Sequence, residues 1–198
     1  MFNLRVAKDW KDYEILDMAN GEKLERWGNV YLLRPDPQIV WDNGDLLEKY
    51  HSDIYAVYYR SNKGGGHWDN LKNTPSSWKI KYDDLTFNIK QMGFKHTGLF
   101  PEQAVNWDFM REKIKKSGRK IKVLNLFAYT GGATVACLSA GASVTHVDSS
   151  RGMVDWCKEN VKSSGLENAE IRYIVDDVVK FVQREIRRGN KYDAIIMD

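Results

Sequence analysis

The sequence is poor in the residues that cross-link a chain or carry it through a membrane. Its 198 residues hold two cysteines, Cys137 and Cys157. They lie far apart, without a C-x-x-C pair or a neighbouring histidine, which argues against a disulfide framework or a zinc site. Both read as reduced core thiols. No stretch approaches the ~20 apolar residues of a membrane span, and the opening MFNLRVAKDW carries Arg5, Lys8 and Asp9 where a secretory leader needs an apolar run. A cytoplasmic protein without a membrane partner is expected. Internal repeats and low-complexity tracts are missing. So are the phosphate-binding patterns: there is no G-x-G-x-x-G, and the glycine-rich SNKGGGHWDN at 61–70 lacks the Lys-Ser/Thr and following helix of a P-loop. That stretch reads as a flexible hairpin loop.

What is present suffices for a packed fold. Hydrophobic residues make up 42% of the chain, and the length suits one or two domains. The formal charge of +3 is unevenly spread, because REKIKKSGRKIK at 111–122 holds seven cations and one glutamate. Such a run either faces a polyanion or forms a solvated helix end whose cations complement the helix dipole. The second is the commoner case.

A domain boundary is expected between residues 96 and 97, with a small β-rich domain over 1–96 and an α/β domain over 97–198. Sixteen of the 24 aromatic residues fall in the first hundred positions. There YEILDMA and EKLERW flank Asn20-Gly21, a strong hairpin signal. Trp68, Trp78 and Tyr59, with Lys63, Lys72 and Lys79, could stack single-stranded RNA, although such aromatics more often pack a core.

Past Gly98 the pattern changes. Pro101 suits the first position of a helix, and Ala104, Trp107, Met110 and Ile114 recur at helical spacing until Gly118. Then strands and helices alternate: KVLNLFAY, GATVACLSA, SVTHVD, RGMVDWCKENVKSS, IRYIVD, DVVKFVQREIRR and YDAIIMD. This order implies right-handed crossovers and a parallel sheet, with the second and third strands expected beside the first.

In an open parallel sheet a ligand sits beyond the carboxyl ends of the strands. After the first strand comes Ala128-Tyr129-Thr130-Gly131-Gly132, where missing side chains would let a ligand approach bare backbone and free helix N–H groups. After the second comes Asp148, 17 residues beyond Gly131 and placed to accept from ribose hydroxyls. After the third come Asp176 and Asp177, and the fourth ends at Asp198. Adjacent glycines, without G-x-G-x-x-G and without a nearby cation, disfavour a pyrophosphate. Acidic strand ends suit a cationic sulfonium cofactor. For each residue a purely structural role stays open: Asp148 and Asp177 as helix caps, the glycines as a tight turn.

These residues carry a family likeness. VLNLFAYTGGATVACLSAGASVTHVDSSRGMVDWCKENVKSSGL followed by IRYIVDDVVKFVQREIRRGNKYDAIIMD resembles the class I S-adenosylmethionine-dependent methyltransferases related to bacterial large-subunit ribosomal RNA methyltransferases. HTGLFPEQAVNW resembles the segment leading into their catalytic domain. The resemblance implies a Rossmann-like domain in which Phe127, Tyr129, Thr130, Gly131 and Gly132 line the methionine and ribose of S-adenosylmethionine. It also implies that Asp148 holds the ribose diol, Asp176 and Asp177 the adenine edge, and Gln103 the methionine end. Asp198 matches the first residue of the family's Asp-Pro-Pro motif and is the implied catalytic residue. Ribosomal RNA is the implied partner. Four of the family's seven strands are legible, so the chain is expected to be truncated after the fourth, with an open sheet edge through which a homodimer could pair. Members that methylate cytosine carbon use a cysteine from beyond this point, and neither Cys137 nor Cys157 matches it. An NAD(P)-dependent Rossmann oxidoreductase and a non-catalytic RNA-binding module are the rival expectations.

Overall fold

A computed structural model describes residues 5–197, and the chain divides into two compact units. One comprises Asp9–Asp83 and Asn88–Leu99. Its five-stranded sheet has the order β1-β2-β3-β4-β5, from β1 (Tyr13–Ala19), β2 (Glu22–Trp27), β3 (Val30–Pro35), β4 (Ala56–Arg60) and β5 (Gly66–Asn70). The β1–β2 turn puts Asn20 at φ 49° and Gly21 at φ 79°, the left-handed pair that Asn-Gly readily supplies. β3 and β4 pair in parallel, so the chain crosses over between them through the short α1 (Leu46–Lys49).

Alternation along these strands sorts the side chains onto two faces. Ala19, Leu24, Leu33 and Val57 pack with Leu46 and Ile54 on one. On the other, fully buried Glu25 accepts from Arg34 Nη2 at 2.8 Å and from Tyr13 OH at 2.7 Å. β6 (Trp78–Tyr82) and β7 (Leu85–Ile89) form a separate two-stranded sheet. Two of the three suggested stacking aromatics are occupied in this packing. Trp68 lies edge-on to Tyr58 and donates its indole N–H to the Met92 carbonyl at 2.9 Å, and Trp78 donates to the Trp27 carbonyl at 2.9 Å. Tyr59 is more open, beside His67.

The second unit takes in 5–8, Asp84–Phe87 and the chain from Phe100 onward. A 3₁₀ turn at Pro101–Gln103 leads into α2 (Ala104–Lys116), which buries Ala104, Trp107 and Ile114 as their spacing predicts, with Met110 half-buried. The alternation follows: β8 (Lys122–Leu126), α3 (Gly132–Ser139), β9 (Ser143–Asp148), α4 (Arg151–Ser163), β10 (Ile171–Val175), α5 (Val178–Arg187) and β11 (Ala194–Met197). Every pairing in this sheet is parallel. This is the parallel sheet expected from the alternation, in the Rossmann-like α/β architecture that the resemblance implies.

The strand order is β10-β9-β8-β11, which corrects one expectation. The second strand flanks the first, but the third lies outside the second, and the fourth takes the other side of the first. Successive crossovers of one hand carry the chain outward through β9 and β10. It then returns past β8 to place β11, leaving a topological switch point at the carboxyl end of β8. Leu124, Leu126 and Val147 pack against Val178 and Phe181 of α5. Each such side chain withdrawn from water contributes roughly 1.5–3 kcal/mol.

Candidate functional site

β8 is predicted over KVLNLFAY but ends at Leu126. Beyond it the backbone zigzags through left-handed geometry: φ is 52° at Phe127, 50° at Tyr129 and 86° at Gly131. For the two aromatic residues this conformation costs on the order of 1–2 kcal/mol each, and such strain concentrates at functional sites. Ala128 N–H donates to the Val147 carbonyl at 3.0 Å, stitching the loop to β9. α3 then starts at Gly132 with no side-chain cap, so its first N–H groups face the loop's surroundings without a local acceptor side chain.

Asp148 is the junction. Its Oδ2 accepts the N–H of Tyr129 at 2.9 Å and its Oδ1 the N–H of Ser150 at 2.8 Å, while its carbonyl accepts the N–H of Asp176 at 3.0 Å. One residue thus links the ends of β8, β9 and β10. The contact with Ser150 is a local turn ahead of α4, whose N-cap is Ser150 and which has no side-chain cap, so the capping role left open for Asp148 is not the one it plays. Asp176 accepts from Asp177 N–H at 2.9 Å and pairs with Arg184. Asp177 is the N-cap of α5, accepting from Lys180 N–H at 2.9 Å.

Exposure separates the loop residues. Phe127 is half open to solvent, Tyr129 and Gly132 are half-buried, and Thr130 and Gly131 are buried. Gly131 therefore does not offer bare backbone outward, as its sequence suggests. A Cβ there would meet Cys157 Sγ at 2.3 Å, so the glycine is required by close packing on α4 and by its positive φ. Gln103 stands on the turn beside Phe100, whose ring centroid is 5.6 Å from that of Tyr129, and accepts from Asn106 Nδ2 at 2.8 Å. Asp198 lies outside the described residues.

Asn125, Thr134, His146 and Asn160, all buried beneath the loop beside Cys157, were not singled out by sequence reasoning. A signal for them exists: Asn125 and His146 interrupt apolar strands, and Asn160 follows Trp156 by four positions on the buried face of α4. Burial depresses the His146 pKa to about 4, and burial pushes the Cys157 thiol up and that of Cys137 up to about 12. The cysteines are free and buried, as expected.

The basic run 111–122 precedes and enters β8, at the opposite end of the strands from the loop. Arg111 pairs with Asp84, Lys116 with Glu112, Arg119 with Asp193 and Lys120 with Glu170, while Lys113 and Lys122 lie over Phe109 and Tyr192. It is largely an ion-paired, solvated face. A shallow hollow of about 380 Å³ lined by Ile15, Leu16, Met18 and Trp41 lies in the N-terminal unit. Among the described residues no cluster of potential metal ligands occurs and no helix is long and apolar enough to cross a membrane.

A family model for S-adenosylmethionine-dependent methyltransferases matches residues 54–198. The chain belongs to that family. Among methyltransferase relatives, the ribosomal RNA large subunit methyltransferase K of Neisseria meningitidis serogroup B is 32% identical over 183 residues, covering 88% of this chain and 50% of that protein. The ribosomal RNA large subunit methyltransferase I of Enterobacter sp. is 31% identical over 125 residues, covering 63% of this chain and 31% of its own. The crystal structure of an S-adenosylmethionine-dependent methyltransferase from Agrobacterium tumefaciens superposes with a TM-score of 0.89 at 38% identity, covering 96% of this chain and 60% of that one. The chain thus spans half or less of the two curated methyltransferases and about three-fifths of the solved one.

Proposed function

We propose that this chain forms the cofactor-holding part of an enzyme that methylates a base of large-subunit ribosomal RNA. The observation that carries this reading is the junction at Asp148, which joins a carboxylate to the strained 127–131 loop at the topological switch point. The relatives named for ribosomal RNA supply the substrate class.

The residues present fit S-adenosylmethionine. Asp148 retains lone pairs beyond its two backbone contacts, enough to accept from a ribose diol. Phe127 and Tyr129 would offer ring faces, and Gln103 an amide for the methionine end. Thr130, Gly131 and Gly132 would shape the turn for that end, and Asp176 and Asp177 would take the adenine edge. Bound there, the cofactor supplies an electrophilic methyl group on a sulfonium whose leaving group is a neutral thioether. The chain's task is consequently alignment rather than stabilisation of a departing charge. Asp198 is assigned beside the reacting groups by its match to the first residue of the family's Asp-Pro-Pro motif.

Calorimetric titration with S-adenosylhomocysteine is expected to show binding that weakens on Asp148→Ala. A well-folded protein that binds nothing overturns the reading. Filter binding at matched salt is expected to favour large-subunit over small-subunit ribosomal RNA, and equal affinities would remove the substrate assignment.

A further inference from the structure

Beneath the 127–132 loop, five polar side chains from four elements are at 3% exposure or less: Asn125 on β8, Thr134 on α3, His146 on β9, and Cys157 and Asn160 on α4. Asn125 Nδ2 donates to Thr134 Oγ1 at 2.9 Å. The same hydroxyl lies 2.9 Å from His146 Nδ1, a contact in which either group can donate according to the imidazole tautomer. Cys157 Sγ approaches the same Nδ1 at 3.4 Å. This cluster meets the loop at two points. Asn160 Nδ2 donates to the Thr130 carbonyl at 2.8 Å, and Cys157 Sγ fills the space where Gly131 lacks a Cβ.

An apolar face of α4 would cover β9 without burying polar groups that must all find partners. The polar solution adds direction. A hydrogen bond to the Thr130 carbonyl fixes the orientation of the peptide joining Thr130 to Gly131, and a thiol against Gly131 fixes its height above the helix. The residues on either side, Tyr129 and Gly132, are the half-buried ones that face outward, and left-handed aromatic residues persist only where their surroundings hold them.

We propose that Asn160 and Cys157 are positioning residues that hold the 127–132 loop in its ligand-ready conformation before any ligand arrives. This rests on reading the loop as the cofactor contact and adds that its readiness originates in α4, a helix on the buried side. Holding the loop in advance removes an ordering cost from binding, so loss of either residue should weaken the cofactor more than it loosens the sheet.

The test compares wild type with Asn160→Ala and with Asn160→Leu, which fills the volume without a donor. Two quantities are read: hydrogen exchange of the amides in 127–134 against those of β8 and β9, and the Kd for S-adenosylhomocysteine. The expected result is faster exchange confined to the loop and a Kd raised at least tenfold. A purely structural role would instead speed exchange across β8 and β9 together. Folded variants with wild-type loop exchange and Kd overturn the proposal. If wild type binds no S-adenosylhomocysteine, the cofactor reading fails, while the exchange comparison still decides the positioning role. Should both Asn160 variants fail to fold, Cys157→Ala carries the same two expectations, because it deletes only the sulfur under Gly131.

Discussion

Asp148 accepts the main-chain N–H of Tyr129 at 2.9 Å across a sequence separation of 19, so the end of one strand is hydrogen-bonded to the loop that follows its neighbour. The same carboxylate is the proposed ribose acceptor. Fold and ligand therefore draw on one side chain, and substitutions can separate the two uses.

Asp148→Ala removes the acceptor of two backbone N–H groups and is expected to cost on the order of 1–3 kcal/mol of stability, together with at least tenfold in S-adenosylhomocysteine affinity. Asp148→Asn keeps one of the two acceptor oxygens but turns an NH2 donor towards the other backbone N–H, and is expected to lose part of that stability as well as affinity. Urea denaturation and calorimetry on the same preparations separate the effects; wild-type affinity in either variant would remove Asp148 from the site.

Gly131→Ala places a methyl group 2.3 Å from Cys157 Sγ at φ 86°. Left-handed strain and overpacking together predict a loss of about 2–4 kcal/mol. The double variant with Cys157→Ala should recover part of that loss, since the sulfur is gone but the positive φ remains. Additive losses in a double-mutant cycle would show that the two residues do not press on one another.

His146 is buried with a pKa lowered to about 4, chiefly by desolvation, against about 6.5 unfolded. The unfolded state takes up a proton at a higher pH than the folded one, so this residue's contribution is fully present above pH ~6.5 and is lost as pH falls towards 4. Thermal unfolding from pH 7.5 to 4 should show Tm falling more steeply in wild type than in His146→Gln. Parallel curves would mean that His146 titrates normally.

In the N-terminal unit, Glu25 and Arg34 form a buried pair at 0% and 7% exposure. Glu25→Gln leaves the guanidinium without its counter-charge and is expected to cost about 3–5 kcal/mol. Replacing both by apolar residues of similar volume should restore much of it. Chemical denaturation followed by tryptophan fluorescence reports this directly, because Trp27 packs beside Arg34.

Much of the fold is legible in the residues themselves. Asn20-Gly21 marks a hairpin because left-handed φ at two successive positions is inexpensive only for such residues, and the apolar runs of 122–126 and 143–148 can be strands buried on both faces only in a parallel sheet. Strand order is less legible: nothing local in IRYIVD says that it lies outside SVTHVD, since order follows from crossover geometry over the whole unit. The site divides in the same way. Asp148 stands out because an acid at a strand tip has few structural reasons to be there. Gly131 is visible but misleading, because a glycine needed for inward packing and one needed for outward contact look alike in sequence. Asn160 and His146 are single polar letters in apolar surroundings, and only tertiary packing reveals what they hold.

The placement of β11 has a consequence for synthesis. The N–H of Lys122, where β8 begins, bonds Asp193 across a separation of 71 residues, and closing so long a loop must be repaid by the contacts it allows. As the chain leaves the ribosome, β8 can find β9 early yet keeps its other flank bare until all of α3, α4 and α5 have emerged. Nascent polypeptides arrested anywhere in that interval would be the natural clients of a chaperone that recognises exposed strand edges.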